Sequence, residues 1–230
     1  MGIALLGFDA DDTLWHSENH FAVTEERFRD LLAPWVDGDT LAGQLLQRER
    51  TNLEIFGYGA KGFTLSMMET AIEVSGGAVP ARALQEIIGW GKELLHHPVD
   101  LIEGVVETLD RLGDRYRMVL ITKGDLFHQE SKIAESGLAE RFERVEVLSE
   151  KNPVGYRRVL DTVGTPAEEF LMVGNSVPSD ILPVLEIGGQ AVHVPYGLTW
   201  AHEEHDAGPG QVPWRQIPAL ADLPALLDEL

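Results

Sequence analysis

The chain has 230 residues, 44% hydrophobic and 24% charged, an ordinary globular balance with room for one large core or a core plus a smaller second domain. Its 38 acidic residues against 18 Lys and Arg give a formal net charge of -20, which sets the surface against DNA, RNA and anionic membranes. There is no cysteine, hence no disulfide and no thiolate metal site, and no apolar run reaches the roughly 18 residues of a membrane span; the expectation is a cytoplasmic protein with no nucleic-acid and no membrane partner.

Residues 3–8 form a short apolar run of the kind a buried parallel strand requires. No basic segment precedes it and it stops at Asp9, so it reads as a strand rather than a signal peptide. The run delivers Asp9, Asp11 and Asp12 to the strand's end. Two unit charges about 4 Å apart repel by roughly 4 kcal/mol at an effective dielectric near 20, so Asp9 and Asp11 need a cation, a proton or a chemical use.

From about residue 17 to 97 the apolar spacing is helical. Phe21, Phe28, Leu31 and Leu32 share one face, and Leu41, Leu45, Leu46, Leu53 and Phe56 a second. Met67, Met68, Ala71 and Ile72 suggest a third helix, and Leu84, Ile87, Ile88, Leu94 and Leu95 a fourth. Gly57, Gly59 and Gly62, then Gly76, Gly77 and Pro80, separate them.

After Pro98 the pattern alternates. Helices are predicted at 104–112, 126–136, 153–163 and 179–187, and strands at 116–121, 144–148, 170–173 and 191–194. Such alternation implies a parallel sheet covered on both faces, an α/β core interrupted after its first strand by a helical insert. The tail from about residue 198 is rich in Pro, Gly, His and acid, and a short helix is expected near 224–230.

In open parallel sheets ligands bind beyond the carboxyl ends of the strands. There the sequence places Asp9, Asp11 and Thr13, then Thr122, Lys123 and Gly124, then Lys151, then Gly174, Asn175 and Ser176 with Asp180. Each is weak evidence alone; successive strand ends make them one constellation.

This ordered set resembles the four motifs of the haloacid dehalogenase (HAD) superfamily over nearly the whole chain. The resemblance implies a Rossmann-like parallel core over residues 1–16 and 98–230 and an inserted α-helical cap of the C1 type over 17–97. It further implies a Mg²⁺-dependent phosphatase acting on a small-molecule phosphate ester. Asp9 would be a carboxylate nucleophile and Asp11 a proton shuttle. Thr122 would bind a phosphoryl oxygen and Lys151 would supply fixed positive charge. Backbone groups near Ala10 and Thr13, with Lys123 and Gly124, would complete a phosphate cradle. Mg²⁺ would be held by Asp9, the Asp11 carbonyl, and Asn175 or Asp180. Asn175 departs from the family pattern, which usually has an acid there. Asp12 is left as a turn or helix-capping residue.

Other features have plainer readings. Gly57-Tyr58-Gly59-Ala60-Lys61-Gly62 matches G-x-G-x-x-G but follows a helix, so it fails the context of a dinucleotide site. It is a turn from which Lys61 or Tyr58, with Asn52 nearby, could reach substrate. His202-Glu203-Glu204-His205 lacks the H-E-x-x-H order and reads as a polar turn. Ser176 lacks the G-x-S-x-G elbow of an esterase. Alternatives within the same resemblance are a phosphomutase, a 2-haloacid dehalogenase, which Asp11 argues against, and a non-catalytic ligand-binding protein.

Overall fold

The computed structural model describes residues 2–198 and 214–230, so the polar turn at 202–205 lies outside the described residues. These fall into two compact units, one from segments 2–18, 99–123, 129–198 and 214–230, the other from 19–98 and 124–128.

The first unit is the expected parallel α/β core. Its strands are β1 (Leu5–Phe8), β2 (Arg117–Lys123), β3 (Arg144–Leu148), β4 (Phe170–Gly174), β5 (Gln190–His193) and β6 (Arg215–Gln216), in the order β3-β2-β1-β4-β5-β6 and all parallel. Phe8 is level with Leu120 of β2 and with Val173 of β4, so Asp9 leaves the sheet beside the end of β4, while β2 runs on along β3 to Lys123.

Period-two alternation sorts the buried side chains onto two faces. Leu6, Phe8, Leu120, Leu171 and Val173 pack with Val105, Leu109 and Leu112 of α5 (Val105–Gly113). Leu5, Val119, Ile121, Phe170 and Met172 pack on the other face with Tyr156, Val159 and Leu160 of α7 (Pro153–Val163). Between these helices in the chain lies α6 (Leu126–Ser136). The segment expected as one helix over 179–187 instead opens with a widened π-helical turn, Val177–Ile181, before α8 (Leu182–Glu186). The strand β6 was not expected; two residues carry no readable period. A short α9 (Leu223–Asp228) closes the chain.

The second unit holds α1 (Glu18–Leu32), whose first residue belongs to the core unit, with α2 (Gly38–Phe56), α3 (Ala60–Val74) and α4 (Ala81–Leu95). Phe28, Leu32, Leu41, Leu45, Phe63, Met67, Ile87 and Trp90 form its own core. Asp37 caps α2 by accepting from the Thr40 N–H at 3.0 Å, and Gly57 ends it at φ 71°. Gly62, read as a separator, lies inside α3, where a Cβ would come within 2.7 Å of the Gly57 carbonyl oxygen. The turn thus needs glycine for close approach as well as for positive φ.

Among the described residues no helix is long and apolar enough to cross a membrane.

Two substitutions separate these glycine roles. Gly43→Ala, in the exposed middle of α2 with nothing within 4 Å of its Cβ position, should raise stability by about 0.5–1 kcal/mol. Gly62→Ala should lower it by about 1–3 kcal/mol. Urea unfolding of both variants checks the opposite signs.

Candidate active site

The sheet fixes where Asp9 sits, because its N–H donates to the Val173 carbonyl at 2.9 Å. Asp9 is 6% exposed. Lys151 Nζ donates to its Oδ1, and Thr13 Oγ1 donates to its Oδ2 at 3.1 Å. The same ammonium donates to Asp180 Oδ1 at 2.7 Å, while Asp180 Oδ2 accepts from the Ser176 N–H at 3.0 Å. Asp180 is wholly buried and lies where a Cβ on Gly174 would meet its Oδ2 at 2.2 Å, so residue 174 has no room for a side chain.

Burial, the strongest influence, acts with the charges of Asp180 and Asp11 to push the Asp9 carboxyl up to about 7 against the pull of Lys151. Burial also works against the Lys151 ammonium, but Asp180 and Asp9 outweigh it and hold that group above the ordinary lysine range. Lys151 therefore stays charged, and a further positive charge beside Asp9 would favour its ionised form.

Asp11 has a different set of partners. Its Oδ1 accepts from Lys132 Nζ at 2.5 Å and from Trp15 Nε1 at 2.6 Å, and its Oδ2 from Gln129 Nε2 at 2.8 Å. Burial pushes this carboxyl up, but Lys132, then Gln129 and Trp15, prevail and hold it below the usual range. The expected proton shuttle is thus kept as a carboxylate. Gln129 and Lys132 were missed in the sequence; their spacing of three places both on one face of α6, directly after the second strand end.

Thr122 is 1% exposed, and its hydroxyl accepts from Gln129 Nε2 at 2.9 Å. Lys123 Nζ donates to Ser179 Oγ at 2.9 Å. The Ala10 carbonyl accepts from the Thr13 and Leu14 N–H groups at 3.2 and 2.8 Å, which turns the chain immediately after Asp9. Asp12 stands at φ 61° and its Oδ1 accepts from the Ser17 and Glu18 N–H groups at 2.8 and 3.1 Å, the capping role expected of it. Burial raises its carboxyl to about 7 despite these bonds.

Two expected substrate contacts are engaged within the helical unit. Asn52, 4% exposed, donates to Ser66 Oγ at 3.1 Å and to Glu69 Oε2 at 3.0 Å. Lys61 Nζ donates to both oxygens of Asp125 at 2.9 Å; Asp125 follows Gly124, which has φ 139°. Gly124 belongs with the helical unit, while Lys123 ends β2 in the core.

Whether these residues suit a divalent cation can be judged at Asn175. Its N–H donates to Thr13 Oγ1 at 3.1 Å. One terminal atom of its side-chain amide faces Asp9 Oδ2 at 3.1 Å, the Asp11 carbonyl oxygen at 3.2 Å and Thr13 Oγ1 at 3.2 Å. With oxygen in that place, Asp9 Oδ2, Asp11 O and Asn175 Oδ1 form a nest of oxygens. Neighbouring oxygens around Mg²⁺ at 2.0–2.1 Å in octahedral geometry are about 2.9 Å apart, so the donor set fits. Asp180, the other expected metal ligand, faces Lys151 and the Ser176 N–H instead. Among the described residues no three His, Asp or Glu side chains converge as a metal site, so a cation in this nest would draw on a backbone carbonyl and an amide beside one carboxylate.

Buried charge thus gathers at the carboxyl ends of the central strands, where open parallel α/β sheets bind their ligands. The model of the haloacid dehalogenase-like hydrolase family matches residues 3–188, and the chain belongs to that family. A haloacid dehalogenase-like family hydrolase from Xanthomonas campestris is 46% identical over 99% of this chain and 91% of that one, with a TM-score of 0.89. The HAD-hydrolase YfnB from Bacillus subtilis, solved bound to magnesium, is 17% identical over 99% and 100% of the two chains, with a TM-score of 0.67. L-2-haloacid dehalogenase from Xanthobacter autotrophicus, solved with chloropropionic acid covalently bound, is 16% identical over 99% of each, with a TM-score of 0.66. The last two share the fold. No curated protein matches the chain.

Lys151→Met leaves two buried carboxylates facing each other without a cation, and stability should fall by about 3–5 kcal/mol at pH 8. The folded pKa of Asp9, already raised by burial, would then lie further above the unfolded value near 3.9, so the variant loses stability as pH rises between the two. The deficit should therefore shrink at pH 5.5, and denaturant unfolding at both pH values measures it. A deficit independent of pH would contradict the assignment.

Proposed function

We propose that this hydrolase is a Mg²⁺-dependent phosphomonoesterase acting on a small phosphorylated metabolite through an aspartyl-phosphate at Asp9. The observation that carries the reading is the buried Asp9–Lys151 pair at the end of β1, with the separately held Asp11 two residues on. Asp9 is the nucleophile: its carboxylate oxygen bonds to phosphorus, and the ester P–O bond breaks with its electron pair leaving on the alcohol oxygen. Water then attacks phosphorus, Asp11 takes the water's proton, and inorganic phosphate and free Asp9 are released. Lys151 stays protonated throughout and offsets negative charge on Asp9 and the phosphoryl group. The Thr122 hydroxyl, the Lys123 and Gly124 segment and the backbone near Ala10, Asp11 and Thr13 would hold the phosphoryl oxygens. Asp9, the Asp11 carbonyl and Asn175 would hold Mg²⁺, which would supply the positive charge that lets one anion approach another. Asp180 positions Lys151.

Asp11 enters ionised, which suits the base of the second step better than the acid of the first. Substrates whose leaving group departs as a stable anion are favoured accordingly. We read the helical insert, 17–97, as a cap of the α-helical C1 type, which suits small substrates because closure excludes bulk water and large ligands. Phosphoryl transfer between sugar hydroxyls would use the same residues and would yield isomerised sugar phosphate.

A second reading, displacement of halide from a 2-haloacid by Asp9, draws support from Asn175, an amide able to serve Asp9 without a metal. Asp11 has no task in that reaction, which places it second. Chloride release from 2-chloropropionate in the presence of a chelator would reverse the order.

With a panel of phosphorylated metabolites and Mg²⁺, phosphate release should be abolished by Asp9→Asn and by chelation. Retained turnover in Asp9→Asn would sink the reading. Asp11→Asn should lower kcat by about 10²–10⁴-fold and accumulate protein carrying one phosphoryl group, detectable by intact mass. Aryl phosphates should outpace alkyl phosphates.

A further inference from the structure

The Asn175 amide can occupy its position in two ways, and they differ by more than an exchange of atoms. With the nitrogen inward it donates to Asp9 Oδ2 at 3.1 Å, to the Asp11 carbonyl at 3.2 Å and towards Thr13 Oγ1 at 3.2 Å. With the oxygen inward it accepts from Thr13 Oγ1 at 3.2 Å and otherwise faces acceptors. Thr13 has one hydroxyl proton, and Asp9 Oδ2 competes for it at 3.1 Å. Oxygens brought this close without a donor between them cost free energy that a hydrogen bond or a cation must offset. The surroundings therefore select nitrogen inward when the nest holds no cation and oxygen inward when it does.

We propose that the Asn175 side chain is a rotating gate on the cation nest, standing in for the metal when none is bound and turning over to become its ligand. This rests on the metal-dependent reading above and adds a mechanism to it. Nitrogen inward, the amide places partial positive charge between Asp9 and the Asp11 carbonyl, where the cation would be. The gate makes the metal-free site self-sufficient and sets a cost on loading, since the amide's hydrogen bonds break before the cation's bonds form. An ionised carboxylate at the same place would repel Asp9 in the metal-free protein. Its backbone keeps the gate in place: the Asn175 N–H donates to Thr13 Oγ1 at 3.1 Å and its carbonyl lies 3.0 Å from His193 Nε2, so rotation is confined to the side chain.

The test is made on the metal-free protein and on titration with MgCl₂. In a ¹⁵N spectrum, the side-chain NH₂ pair assigned by its loss in Asn175→Asp should exchange slowly with solvent when metal-free. It should shift and exchange faster as Mg²⁺ is added. An NH₂ signal exposed in the metal-free protein, or unmoved at saturating Mg²⁺, would overturn the gate.

Melting temperatures and calorimetric titration supply an independent arm. Asn175→Asp should melt lower than the parent without metal and bind Mg²⁺ about tenfold or more tightly, because ligand charge sets affinity. Asn175→Leu removes the donor without adding charge. It should also melt lower without metal and gain nothing from Mg²⁺; a metal-free melting temperature equal to the parent's would overturn the stand-in role. None of these readouts uses turnover, so a protein with a working gate that releases no phosphate would fail the phosphatase reading alone. A protein that turns over phosphate with a static amide would fail the gate alone.

Discussion

One ammonium group organises this site. Lys151 donates to Asp9 after β1 and to Asp180 after β4, and it stands two residues before α7, so a single charge cross-links three separate stretches of the chain. Taking a lysine and two carboxylates out of water costs several kcal/mol for each ion, and only mutual attraction with good geometry offsets it. Much nearby structure serves that geometry. Asn152 caps α7 by accepting from the Gly155 N–H at 2.8 Å, with Pro153 in the first turn, which fixes the residue before it. The widened turn after β4 brings Asp180 back towards the sheet, and Gly174 leaves it space. Tyr156 of α7 donates to the Ser179 carbonyl at 2.9 Å and ties the lysine's helix to that turn.

The two carboxylates that open the site are driven apart by their surroundings. Asp9 is raised to about 7 by burial and by its acidic neighbours, whereas Asp11 is lowered because Lys132, Gln129 and Trp15 outweigh its burial. A pair of acids pushed in opposite directions is a common arrangement where one group reacts and the other manages protons. Here the direction is specific: the group set to manage protons is held in its basic form, and the group read as nucleophile gains its charge in full only when more positive charge arrives.

Most of the scaffold was legible because parallel strands buried on both faces write themselves as short apolar runs. Asp9, Thr122 and Asn175 could be placed at strand ends from those runs alone. What stayed hidden depends on direction rather than period. Asp180 sits five residues past Asn175, and only the path of the π-helical turn decides that it meets Lys151 rather than the oxygen nest. Gln129 and Lys132 look like the polar face of an ordinary helix, and their partner Asp11 is more than a hundred residues away in sequence. Asn52 lies near a glycine turn in sequence, and only the packing of α2 on α3 pairs its amide with Ser66 and Glu69. A two-residue strand such as β6 is defined by its neighbour β5 and not by its own sequence.

The same accounting gives a physical reason for an amide at residue 175. Among groups in direct contact around the site, Asp9, Asp11 and Asp180 carry three negative charges when ionised, and Lys151 and Lys132 return two. The set is left one charge negative, inside a protein whose formal charge is already -20. On the proposed function a divalent cation would turn that local balance to one positive charge and draw in an anionic phosphoryl group; an acid at 175 would cancel it to zero. Asn175 still offers the cation an oxygen, and it leaves the loaded site more attractive to an anion. Weaker metal binding and stronger pull on an anionic substrate would then be two consequences of an amide in place of an acid. At a few ångströms and a low effective dielectric, a single unit of charge amounts to about 4 kcal/mol, more than one neutral hydrogen bond contributes.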